Sequence, residues 1–155
     1  MLYFATSDDE RGASLTLARF FRWLPPAAIM LVIYVLSDQS ALAGTGEPAI
    51  SRKLVHAAEY AALAFTLGRA TVAELTMRAP APPYSTTFGA AWFFAVLYAA
   101  SDEVHQSFVP GRSGRIEDFL VDAIGAAMGA GLLILARWYV RRRAARMTPT
   151  HRSSA

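Results

Sequence analysis

Two short segments of this sequence carry imidazole and carboxylate groups at helical spacing. His56 precedes Glu59 by three residues, and Asp102 precedes His105 by three. Side chains at that spacing share one face of a helix, where they suit general acid–base catalysis or half of a metal-binding shell. The candidate catalytic residues are Glu59, Asp102, Glu103 and His105. The candidate metal ligands are His56, Glu59, Asp102 and His105.

A second set of polar residues suits the binding of a charged ligand. Lys53, His56 and Tyr60 follow an i, i+3, i+7 pattern. Asp118 and Asp122 are four residues apart and share a face in the same way. The candidate binding residues are Lys53, His56, Tyr60, Gln106, Arg112, Arg115, Asp118 and Asp122.

The basic residues of this set indicate the chemistry of a ligand. Arg112 and Arg115 come just before a predicted helix, and guanidinium groups together with the free N–H groups of a helix start bind phosphate. The expected partner is an anionic lipid headgroup or a lipid-linked cell-envelope intermediate. A structural alternative stays open, in which Lys53 and Arg112 only neutralise the carboxylates Glu59, Asp102 or Glu103 between helices.

The elements that position these residues are four apolar stretches of helical length. They cover residues 23–37, 54–67, 88–101 and 123–136 of a 155-residue chain. Apolar residues make up 54% of the chain and charged residues 17%. Because apolar side chains occupy most of the circumference of each stretch, the pattern predicts an all-α bundle of four transmembrane helices. Pro25 and Pro26 are expected in the first turn of the first helix.

The distribution of Lys and Arg predicts the orientation of the bundle. Eleven of the 15 basic residues lie before the first stretch, between the second and third, or after the fourth. The positive-inside rule then places both termini in the cytoplasm, with residues 1–19 and the basic tail 141–155 flanking a membrane domain at 20–140. The bilayer, and not nucleic acid, is the expected partner of the tail. A competing interpretation makes the first stretch a cleaved signal peptide ending at Ala41-Leu42-Ala43.

With four helices that alternate in direction, the polar residues gather at one end of the bundle. That end comprises the end of the first and third helices and the start of the second and fourth. The sequence therefore predicts a polar pocket near the outer leaflet. Gly125 and Gly129 form a GxxxG pattern, which predicts a close contact of the fourth helix with another helix. The absence of cysteine excludes disulfides, thiolate metal sites and a cysteine nucleophile.

Two runs of residues closely resemble the VanZ-like membrane family. They are Lys53–Tyr60, KLVHAAEY, and Ser101–Asp118, SDEVHQSFVPGRSGRIED, which is followed by Gly125 and Gly129. The family is named for a protein that confers low-level teicoplanin resistance, and its members are small four-helix membrane proteins. The resemblance implies a role in the bacterial inner membrane, and it assigns recurrent polar positions to Lys53, His56, Tyr60, Asp102, Glu103, His105, Gln106, Arg112 and Asp118. At Asp122 the family pattern often has asparagine.

Overall fold

The computed structural model describes residues 6–38, 49–77, 80–110 and 114–147. Within these ranges the chain forms four α-helices and no strand: α1 Thr6–Ser37, α2 Ala49–Thr76, α3 Tyr84–Gln106 and α4 Ile116–Met147. The prediction of an all-α, four-helix architecture is confirmed. Arg112, His151 and the Ala-x-Ala sequence at 41–43 lie outside the described residues.

The helices are longer than the apolar stretches that predicted them. α1 begins at Thr6, so it crosses the expected boundary at residue 19 and continues through Pro25 and Pro26. The placement of these prolines in a first turn was therefore wrong. The residues before them, such as Leu15, Leu17 and Ala18, are good helix formers, and they extend the helix beyond the part that is apolar on all sides.

Two of the helices are long and apolar enough to cross a membrane. They are the Ser14–Ser37 part of α1 and the whole of α4, with mean hydropathies of 1.6 and 2.1 over their most apolar windows. The apolar sequence of α2 is interrupted by charged residues, among them Arg52, Lys53, Glu59 and Arg69.

The bundle has small residues inside and large apolar residues outside. α2 and α4 share the most extensive interface, α3 packs on both, and α1 packs mainly on α2. The buried core contains Tyr60 and Leu63, but most of it is alanine, including Ala91, Ala95 and Ala99 on one face of α3. The exposed apolar side chains include Leu31, Leu54, Phe93, Phe94, Leu97 and Leu132. Small residues at helix contacts and large ones outside are typical of helices surrounded by lipid.

The GxxxG pattern makes the closest helix contact. Gly125 and Gly129 of α4 are buried against the backbone of α2, where a Cβ atom on either glycine would overlap the carbonyl oxygen of Ala57 or Ala61. The predicted packing role of these glycines is confirmed. This contact fixes α2 against α4 and so sets the positions of the polar residues at the start of both helices.

Candidate functional site

The polar ends of the four helices meet at one end of the bundle, as the alternation of helix directions predicts. Contacts between helices demonstrate the meeting: Ser37 of α1 reaches Asp102 of α3, and Lys53 of α2 reaches Asp118 of α4. Five carboxylates lie together there. We call them the acidic cluster: Glu59, Asp102, Glu103, Asp118 and Asp122.

Asp122 is the most deeply buried member of the acidic cluster, with no solvent-exposed surface. Within the described part of the chain, neither of its carboxylate oxygens accepts a hydrogen bond. His56 Nδ1 lies 3.7 Å from its Oδ1, and the other four cluster carboxylates are within electrostatic range. A buried carboxylate without hydrogen bonds is costly to folding.

Asp102, in contrast, accepts two hydrogen bonds from side chains. The hydroxyl of Ser37 and the side-chain amide of Gln106 each donate a hydrogen bond of 2.9 Å to Oδ2 of Asp102. The amide of Gln106 also lies 3.4 Å from the Ser37 hydroxyl. The i, i+4 pairing of Asp102 with Gln106 is confirmed, and through Ser37 this network joins α1 to α3.

Glu59 is half-buried on α2. Among the described residues, no hydrogen bond or ion pair involves its carboxylate, and Asp102 is the charged group that acts on it. Tyr60, one residue further, is fully buried, and its hydroxyl has no hydrogen-bond partner in the same described residues.

Glu103 positions the segment that leads into α4. Its Oε2 accepts a 2.6 Å hydrogen bond from the backbone N–H of Arg115. The neighbouring Gly114 lies so close to the Glu103 carbonyl that an added Cβ would come within 2.6 Å of it. Glu103 therefore sets the geometry of the loop end as well as contributing charge.

Lys53 and Arg115 both lie close to the carboxylates at the start of α4. Lys53 Nζ lies 3.6 Å from Asp118 and 3.8 Å from Glu117, both in the first turn of α4, and not beside Glu59 or Asp102. Arg115 is exposed, and its guanidinium is 4.0 Å from Glu117. Lys53 and Arg115 thus lie at the rim of the acidic cluster, beside the carboxylates at the start of α4.

His105 packs against the end of α1. Its ring stacks on Tyr34 of α1 with 4.8 Å between ring centres, and its Nε2 lies 3.8 Å from Asp38. Tyr34 was missed by sequence reasoning, although it precedes Ser37 by one helical turn and so shares its face. In the described ranges, no three His, Asp or Glu side chains are grouped so that they could hold one metal ion. The metal hypothesis for His56, Glu59, Asp102 and His105 gains no support from this arrangement.

Comparison with known protein families gave a match over most of the chain. A family model described as VanZ/LLP1 matches residues 1–137. A search of curated proteins and a search of solved structures each returned no match. The family match includes both runs on which the sequence resemblance depends, Lys53–Tyr60 and Ser101–Asp118, and confirms that resemblance.

Proposed function

Because the chain belongs to the VanZ/LLP1 family, we propose that it is a multi-pass protein of the bacterial inner membrane that acts in the cell envelope. All four helices span the bilayer, both termini are cytoplasmic, and the acidic cluster lies toward the outer leaflet. The exposed apolar residues of α2 and α3, among them Leu54, Phe93 and Leu97, support spans additional to the two that pass by composition alone.

The working site of this protein is the acidic cluster. The cluster binds the polar part of an envelope component and can also process it chemically. In this way the protein contributes to protection against glycopeptides such as teicoplanin. The observation that carries the proposal is Asp122, a fully buried carboxylate without a hydrogen bond in the described structure. Charges inside membrane helices are more often functional than decorative.

The charge of the site favours a ligand with a cationic group over a ligand with a phosphate. Five carboxylates surround the interior, while Lys53 and Arg115 lie beside the carboxylates of the α4 start. A site lined by carboxyl groups attracts a component that presents an ammonium group, such as the amine of a peptide, more than a phosphate. We assign the binding of this ammonium group to Glu59 and Asp102.

A second candidate function is a structural scaffold, which the Ser37–Asp102–Gln106 network favours. These hydrogen bonds hold α1 against α3 and would be needed in a protein with no ligand at all. The two functions differ in what they predict for isosteric neutralisation of the cluster.

Asp102→Asn is expected to abolish protection without lowering abundance. The amide oxygen can still accept the hydrogen bonds of Ser37 and Gln106, so the network and the fold persist while the charge is lost. The measurement is teicoplanin and vancomycin susceptibility of a deletion strain carrying wild type, Asp102→Asn or Glu117→Gln, with membrane levels quantified in parallel. Glu117 is an exposed carboxylate at the same end, so its variant should protect like wild type. A scaffold would instead keep its protection with Asp102→Asn, because the hydrogen bonds of the network persist. A wild type that gives no protection overturns the glycopeptide role.

Cysteine labelling tests the proposed topology, because the chain contains no natural cysteine. Ser85 and Ser107 are exposed at opposite ends of α3, about 33 Å apart along a helix of 1.5 Å rise per residue. In intact spheroplasts, a membrane-impermeant maleimide should label Ser107→Cys at once and Ser85→Cys only after permeabilisation. The reverse order of labelling would mean that the bundle has the opposite orientation in the membrane. Equal labelling of both variants would mean that α3 does not span the membrane.

A further inference from the structure

We propose a second binding site, for the phosphate-bearing headgroup of an anionic phospholipid, in a cleft between α1 and α2. The cleft is at the opposite end of the bundle from the acidic cluster. It encloses a cavity of about 300 Å³, lined among others by Phe21, Arg22, Thr66, Arg69 and Ala73. This volume is at the lower end of the range of ligand pockets, about 300 to 1,000 Å³.

The cleft has an excess of positive charge. Glu74 is its acidic neighbour, and Arg19 holds it through a two-point contact of Nε and Nη2. Arg22 also approaches Glu74, at 3.8 Å. Arg69 is exposed and makes no ion pair with the residues that the structure describes. Among the described side chains, three guanidinium groups against one carboxylate leave a net charge of about +2, which a phosphate would balance.

The depth of the cleft matches the headgroup layer of the inner leaflet. Arg22 is fifteen residues before Ser37, which corresponds to about 22 Å of helix. With Ser37 at the outer boundary of a hydrocarbon core of about 30 Å, the long side chain of Arg22 reaches the inner interface. The position of the cleft in the bilayer depends on the topology given under the proposed function and on no other part of that proposal.

The surface beside the cleft suits the acyl chains of a lipid. Phe20, Phe21 and Leu24 of α1 are exposed next to the cavity. Basic pockets between membrane helices on the cytoplasmic side are typical binding sites for anionic headgroups. A headgroup in the cavity would therefore contact Arg22 and Arg69 while its chains follow the apolar face of α1.

Thermal melting of the purified full chain in nanodiscs tests this site. Nanodiscs of phosphatidylcholine with phosphatidylglycerol should raise the Tm of the wild type by about 3 to 5 °C over phosphatidylcholine alone. Arg69→Gln should lose most of this rise, since Arg69 has no structural partner to lose. Arg22→Gln is a second variant with the same expectation. Arg146→Gln, which removes an exposed arginine of the last turn of α4, should keep the rise.

Three results would overturn the proposal. One is a wild-type Tm that does not respond to phosphatidylglycerol. Another is an equal loss of the response in Arg69→Gln and Arg146→Gln, which would indicate general attraction to a charged surface. The third is an equal rise in phosphatidylcholine nanodiscs with added glycerol 3-phosphate, which would assign the cleft to a free phosphate ester. None of these results depends on whether the acidic cluster protects cells from glycopeptides.

Discussion

Glu59→Gln is expected to leave the protein as stable and as abundant as wild type while abolishing its protective activity. The Glu59 carboxylate makes no hydrogen bond or ion pair with any described residue, so a neutral isostere removes no structural contact. It also lies near the carboxylate of Asp102, and removing one of two like charges relieves repulsion. The Tm should therefore stay within about 2 °C of the wild type or rise.

The dissociation between stability and activity is what separates the two candidate functions. In a scaffold, each charge that is kept must stabilise a helix contact, and its loss must appear in the Tm. In a binding site, a charge can cost stability and be retained for the ligand. Thermal melting in detergent together with membrane abundance gives the stability half of the test. A fall in both for Glu59→Gln would contradict the assignment of Glu59 to a ligand.

Gly129→Ala is expected to have the largest effect on stability. Its Cβ would overlap the carbonyl oxygen of Ala61, which is part of the α2 backbone and cannot rotate away. α2 and α4 must then separate, and overpacking of this kind costs about 1 to 3 kcal/mol or more. A loss of that size lowers the Tm of a protein of this length by about 2 to 12 °C, and membrane abundance should fall with it.

Gly131→Ala is the matched control for this prediction. It makes the same chemical change two residues further along α4, where no atom lies within 4 Å of an added Cβ. Because alanine favours the helix by about 1 kcal/mol over glycine, this variant should melt at the wild-type temperature or above it. Equal Tm values for the two alanine variants would mean that α4 does not approach α2 as closely as the structure places it.

The sequence allowed the prediction of the features that depend on local periodicity. The four helices, the common face of Lys53, His56 and Tyr60, and the contact at Gly125 and Gly129 all follow from residues three or four positions apart. The gathering of polar residues at one end follows from helices that alternate in direction. These features need no knowledge of which helix neighbours which.

The partners of individual side chains could not be predicted in this way. Asp102 and His105 share a helical face, yet His105 turns to Tyr34 and Asp38 of α1. Lys53 lies beside Asp118 because the glycine contact brings the starts of α2 and α4 together. Such choices depend on the rotation of each helix about its axis and on the neighbours that result.

The extent of α1 was the other feature that the sequence left open. Proline was expected to mark its start, but the helix continues for many residues before Pro25. Only the tertiary structure then reveals that Arg19 and Arg22 face Glu74 of α2 and that Arg22 lines the basic cleft. The cleft consequently has no signature in the linear sequence.

The central claim is that the acidic cluster is the working site, and one measurement tests it most directly. It is the teicoplanin concentration that inhibits a deletion strain carrying Glu59→Gln, compared with strains carrying wild type or Glu117→Gln at the same membrane abundance. The account predicts that Glu117→Gln protects as wild type does and that Glu59→Gln protects no better than an empty vector. Full protection by Glu59→Gln at equal abundance would contradict it.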